Sequence, residues 1–412
     1  MGRTTNLRTS LIMAVFLMAM ACTAAGDVIY VDDDASLGGN GQNWATPYRY
    51  LQDALTAAVS GDEIRVAEGI YKPDEDSANP NGTGSRTATF QLKNGVVITG
   101  GYAGFGEPAP NARDIEVYET VLSGDLLGND GPDFANNGEN SYHVVTGGGT
   151  DDTAVLDGFT ITGGNANGPR NYYHDVGGGM NNVGSSPTVT DCTFSGNYAV
   201  FGGGMFIRGS RPALTNCTFS GNSANGGGGM FNWNCGPTLT DCTFSDNSAN
   251  SSGGGMYNFI SDPNLVNCTF NDNLAVEGGG MCNEGGSPTV TNSTFSNNSA
   301  EWGGGGMYNT GSNPTMTNST FSNNSSDRGG GMYNSWDSSS TLTNSTFSNN
   351  SADNGGGMFN WDSDHTLTNC TFSGNSASEF GGGMYNLWES SPTVTNCTFI
   401  GNSAESGGGM HN

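Results

Sequence analysis

Basic side chains are scarce in this chain: 12 Lys and Arg stand against 39 Asp and Glu, a formal net charge of −27 over 412 residues. From Asn181 onward the only strong bases are Arg208, Arg211 and Arg328, and lysine is absent. Such a surface repels phosphate backbones, which excludes nucleic acid as a partner and favours cations or neutral glycans. Long apolar runs are missing as well. Past the N-terminus nothing approaches the length of a membrane span, so no transmembrane segment is expected in the mature chain. Charged residues make up only 12% of the chain, and 67 glycines, with Ser, Thr and Asn, fill much of the rest. That composition approaches a disordered chain. Against disorder stand Phe, Met, Val and Leu at fixed intervals, which argue for a packed core.

The first residues read as an export signal. Arg3 and Arg8 precede the apolar run Leu11 to Met20, and small residues follow in "ACTAAG". Residues 1–25 are therefore expected to be removed, leaving a protein that is secreted or attached to the cell surface or outer membrane. Cys22 raises lipid anchoring as a variant, with Ala19 at the place where that motif usually has leucine.

A repeat dominates the remainder. Methionines after a glycine tract fall at Met180, Met205, Met230, Met256, Met281, Met307, Met332, Met358, Met384 and Met410, always 25 or 26 apart. The phenylalanines of "TF" keep the same step from Phe194 to Phe372, and Phe399 follows. Within a unit there is no helical period. Each unit reads as three short extended pieces, "GGGMYN", "PTVT" and "NCTFS", separated by turn residues. Three short strands in about 25 residues make one coil of a parallel β-helix, an all-β solenoid whose equivalent residues stack at about 4.8 Å. Alternation places Met, the Val/Leu of "TVT" or "TLT", the Cys/Ser position and Phe inside.

Asn222, Asn247, Asn273, Asn298, Asn324, Asn350 and Asn375 recur three residues after Phe, as expected for a corner residue whose amides ladder along the axis. The "NCT" and "NST" triplets also match the glycosylation sequon, which falls out of the repeat itself. Cys192, Cys217, Cys242, Cys268, Cys370 and Cys397 share a column completed by Ser293, Ser319 and Ser345, so that site calls for a small side chain and free buried thiols. Cys235 and Cys282 fall outside the column and are candidates for exposure. No Cys/His spacing resembles a zinc site.

Residues 26–150 differ. Leu51, Ala54, Leu55 and Ala58 mark one face of a short helix suited to cap the first coil, and irregular coils follow. Regular repeats occupy 151–412. The chain stops inside a repeat at "GGGMHN", which predicts an open strand edge to be covered by a missing segment or a partner.

The repeat "F-S-x-N-S-A…G-G-G-M" resembles the chlamydial polymorphic outer-membrane protein repeat, with Met where that signature has a small residue and Ile. The opening "VIYVDDDASLGGNGQNWATPYRYLQDAL", together with "LDGFTITGGNANG", is similar to secreted right-handed parallel β-helix proteins of planctomycete-type bacteria. The resemblance implies a pectate-lyase-like right-handed β-helix, exported to the envelope or beyond. That scaffold carries adhesins, lyases and hydrolases alike. The resemblance supplies no catalytic residues: His143, His174, His365 and His411 lack the G-H-G setting of the polygalacturonase-like hydrolases, and Arg208 has no bed of carboxylates.

One set of loops stands out. Trp336-Asp337, Trp361-Asp362 and Trp388-Glu389 follow "GGGM" strands on three consecutive coils. Stacked Asp337, Asp362 and Glu389 would suit calcium, which prefers oxygen ligands, and Trp336, Trp361 and Trp388 would offer faces to a sugar ring. Duplicated coils create the same columns with no selection for binding. The insertion "PRNYYHDV" (169–176) lengthens one coil and brings Arg170, Tyr172, Tyr173, His174 and Asp175 together as a second binding candidate. A third is the aromatic stripe running from Phe206 through Tyr385, which points outward if Met lies inside and fills the core if the register is reversed. The leading expectation is a non-enzymatic surface or matrix protein that contacts polysaccharide or other cell-surface components and requires no cofactor. The alternatives are a polysaccharide lyase or hydrolase using Asp362, Asp364 and His365, and a calcium-stabilised spacer.

Overall fold

A computed structural model describes residues 26–412; the signal-peptide reading and Cys22 lie outside the described residues. The chain winds into a parallel β-solenoid, and most of the regular coils contribute not three strands but four; the coil of Met332–Ser335 holds the fourth position by isolated bridges alone. In the coil beginning at Ser299 the four are Ser299–Gly303, Met307–Thr310, Thr315–Thr317 and Thr320–Ser322. Their equivalents stack into a wall sheet of six strands continued by a separate pair, a floor sheet of 12, and two back sheets of 13 and 12. All of these pairings are parallel; the repeat's floor and back strands stack in register, Met on Met and Phe on Phe, while wall pairs shift register, as between Ala275 and Glu277.

The wall strand is the piece that the repeat pattern hid. It begins at the "NSA" segment, whose Ala column (Ala199, Ala224, Ala249, Ala275, Ala300) is buried. Three glycines then bend the chain sharply into the floor strand. Gly304 has φ +67°, and a Cβ on Gly305 would collide with the carbonyls of Ser325 and Gly330 on the neighbouring coil.

The interior consists of like-on-like columns. Phe194 to Phe399 stack with ring centroids 4.7–4.8 Å apart and planes within 6° of parallel. Each fully buried ring contributes about 1.5–3 kcal/mol by leaving water, and stacking adds about 1 kcal/mol more. The cysteines among the described residues are free thiols, and burial pushes Cys192 up to about 12. Cys235 is half-buried, while Cys282, for which exposure was expected, is buried at 2%.

The expected asparagine ladder is present. Asn298 Nδ2 donates to Asn324 Oδ1 at 3.0 Å and also to the carbonyl of Phe270. The left-handed backbone, however, falls on the residue before it, at Asp272, Asn297, Asn323 and Asn349. The sequon asparagines form a different, exposed ladder, with Asn318 donating to Asn292 at 3.1 Å. A third ladder runs inside the floor sheet from Asn232 through Asn258, Asn283, Asn309, Asn334 and Asn360 to Asn386, each amide donating to the next at 2.8–3.0 Å.

At the other end the helix Leu51–Ala57 buries Leu51, Ala54 and Leu55 against the first coil. No helix among the described residues is long and apolar enough to cross a membrane.

Candidate functional site

Floor strands alternate. Met and Asn point into the solenoid, and the residue between them points out. The outward column reads Phe206, Phe231, Tyr257, Cys282, Tyr308, Tyr333, Phe359, Tyr385 and His411. The wall sheet rises beside this column, so the rings lie in a re-entrant angle rather than on an open face. Phe206 and Tyr333 are exposed by 1% and 0%, and the stripe expected to be a contact surface is mostly a second, outer core.

Cys282 interrupts the ring column between Tyr257 and Tyr308. On the same coil Glu277 belongs to the wall and Glu284 to the end of the floor strand. Tyr257 Oη donates to Glu284, and Ser252 Oγ donates to Glu277 at 3.2 Å. Burial pushes the Glu277 carboxyl up, and the nearby Glu284 charge adds to the rise. This acidic notch separates two aromatic cups. It escaped the sequence reading because Glu277 sits in the wall strand, which was not expected.

The C-terminal cup is an open cavity of about 440 Å³, with Trp302, Trp361 and Trp388 around it and Arg328, Asn354 and Glu379 among its lining. Arg328 lies 5.4 Å from the Trp302 ring centroid. Asn354 Nδ2 donates to Glu379 at 3.1 Å, while its buried Oδ1 has no partner among the described residues. Trp388 is 73% exposed and Trp336 is 64% exposed. Both have left-handed φ, +57° and +54°, a conformation that is strained for a bulky side chain. Trp336 leans on Trp361 at 5.9 Å.

The three predicted tryptophans thus gather at one end of the groove, but not as a single column. Trp361 is in register with Ser335 and Leu387; Trp336 and Trp388 stand one position later, because their loops are one residue longer. The offset displaces the carboxylates too, and Asp337 N–H donates to the Asp362 carbonyl at 2.9 Å. Among the described residues, the acidic triads with ligand atoms within 4.8 Å are Asp32, Asp33 and Asp34, and Asp125, Asp130 and Glu139. Asp337, Asp362 and Glu389 do not form the expected calcium triad. Asp364 is exposed and accepts the Ser391 N–H at 2.6 Å. His365 is 1% exposed, inside the solenoid. Its Nδ1 accepts the Ser340 N–H at 3.0 Å, and burial pushes it down to about 4. Alternation turned it inward, so Asp362, Asp364 and His365 do not share a cleft.

At the opposite end, Tyr173 is 40% exposed and accepts a hydrogen bond from Arg208 Nη1 at 2.6 Å. Arg208 also lies 4.5 Å above the Trp233 ring, so it is a groove residue and not an isolated surface arginine. The Tyr172 side chain lies outside the described residues.

These features define a parallel β-solenoid with a lateral aromatic groove. The right-handed β-helix region family matches over residues 179–346 and 279–411, more than half of the chain, and the chain belongs to that family. No curated protein sequence matches it. Among solved structures it is similar in fold to pectate lyase Pel9A, at 14% identity and TM-score 0.42, covering 91% of this chain and 78% of that one. PfbA, a surface adhesin of Streptococcus pneumoniae, is 11% identical with TM-score 0.47, covering 91% and 92%. The Azotobacter vinelandii mannuronan C-5 epimerase AlgE4 A-module is 14% identical with TM-score 0.33, covering 92% and 99%. A fold by itself assigns no activity.

Proposed function

We propose that this is an exported surface or matrix protein that holds a polysaccharide at the C-terminal cup without cutting it. The observation that carries the reading is the set of tryptophans Trp302, Trp361 and Trp388 around an open cavity also lined by Arg328, Asn354 and Glu379. Flat apolar faces beside a few hydrogen-bonding groups suit sugar rings. One carboxylate, Glu379, lines the cup, whereas hydrolysis of a glycosidic bond usually takes two. The basic, apolar and small-residue sequence at the N-terminus supports export.

The test is affinity electrophoresis through gels containing neutral or uronate polysaccharides, with and without Ca²⁺, alongside assays for reducing ends and unsaturated products. Retardation without product is expected, with Trp388→Ala weakening it about tenfold. Unchanged retardation of that variant, or any product, overturns the reading. A second reading, glycoside hydrolysis, is favoured only by Glu277 and Glu284 on one coil of the groove, since burial raises the Glu277 carboxyl as a general acid requires and a second carboxyl stands near it. It requires product formation that Glu277→Gln abolishes.

A further inference from the structure

The N-terminal cup differs chemically from the C-terminal one. Its cavity, about 280 Å³, lies among Phe201, Phe231, Trp233 and Phe259 and is closed on one side by Tyr173 and Asp175 of the inserted segment. Asp175 is 5% exposed. One of its carboxylate oxygens, Oδ2, is 3.7 Å from Arg170 Nε, whose side chain is itself 74% exposed. The other, Oδ1, is buried and has no hydrogen-bond partner among the described residues. A carboxylate in apolar surroundings calls for a charged or donating partner on each oxygen, and Asp175, which lines the cavity, lacks one on Oδ1 among the described residues.

The rings point to the same kind of ligand. Aromatic faces attract cations, and both arginines at this rim already sit on them: Arg208 at 4.5 Å from the Trp233 centroid and Arg170 at 5.7 Å from Phe201. A net charge of −27 adds a long-range field of the same sign. We propose that this cup binds a small organic ammonium, a protonated primary amine on an aromatic or branched apolar stem. The ammonium donates to Asp175 Oδ1, and the stem lies among Phe231, Trp233 and Phe259. The site is separate from the C-terminal cup and does not depend on glycan binding there.

Calorimetric titration of the whole protein with phenethylamine, its N-acetyl derivative and phenylacetate near neutral pH tests the assignment. The amine is expected to bind at least about tenfold more tightly than either analogue, the weight of one charge-assisted hydrogen bond. Asp175→Asn, nearly isosteric, is expected to remove that preference. Absence of amine binding, equal or tighter binding of phenylacetate, or an unchanged amine preference in a folded Asp175→Asn protein overturns the proposal. The comparison of three ligands on the unaltered protein stands even if the variant fails to fold.

Discussion

The two faces of one floor strand obey different rules. Inward, Met307 and its equivalents repeat coil after coil, as do the asparagines two positions later apart from Ile207. Outward, the residue between them changes from Phe to Tyr to Cys to His along the same sheet. An interior column has one neighbour geometry, set by the coils above and below, so a single solution is repeated. The outward column also meets a wall whose residues vary, from Phe201 to Glu277 to Phe380. Architecture constrains the inside, and the outside is free to carry chemistry.

The largest expected effect separates these faces directly. Phe295 is fully buried between two parallel rings, and Phe295→Ala should cost about 3–5 kcal/mol in urea unfolding because the column cannot collapse around the cavity. Trp388→Ala should change stability by less than about 0.5 kcal/mol, since the ring is 73% exposed. Comparable losses at both positions would erase the distinction.

Acid offers a second contrast. Burial holds His365 and His143 down to about 4, below the value of about 6.5 expected when unfolded. Below pH 6.5 the unfolded chain binds protons that the folded chain refuses. Stability is thus complete above about pH 6.5 and falls as pH drops toward 4, by about 3 kcal/mol for each histidine. His365→Ser, which copies Ser340 of the preceding coil, should remove its share of the slope. An unchanged pH profile would mean that His365 titrates freely.

These cases bear on what could be read from residues alone. Period and alternation revealed the Phe, Met, Cys/Ser and first Asn columns, because each depends only on stacking identical letters. The capping helix was legible from Leu51, Ala54 and Leu55 for a similar local reason. Three features were not legible. The wall strand is rich in Ser, Ala and Asn, which look like turn residues, and without it the aromatic stripe seems exposed and Glu277 goes unnoticed. One extra residue in the Trp336 and Trp388 loops shifts them against Trp361, and a shift of one residue dissolves the expected calcium column. The inward turn of His365 follows from the same parity, which letters in a loop do not display.

Smaller effects test the polar part of the interior. Asn309→Leu keeps the branching of the side chain but leaves Asn283 Nδ2 without its acceptor and removes the donor to Asn334. A loss of about 2 kcal/mol is expected, and a neutral result would make the floor ladder ornamental.

The floor ladder also has one natural defect, which gives the smallest and most discriminating prediction. Ile207 stands in register between Asn182 and Asn232. As a result both amide atoms of Asn182 and the Oδ1 of Asn232 are buried without partners among the described residues. Ile207→Asn would supply the missing rung: Asn182 gains an acceptor for its amide, and Asn232 gains a donor. The lost apolar burial is offset by two ladder hydrogen bonds and the relief of stranded groups, so stability should stay within about 1 kcal/mol of the parent. Ile161 is equally buried but lies at the head of the Phe column, where no amide awaits it. Ile161→Asn should therefore cost at least about 3 kcal/mol. Equal penalties for the two substitutions, measured in the same unfolding titration, would show that burial alone governs the interior and that the amide register of the ladder does not.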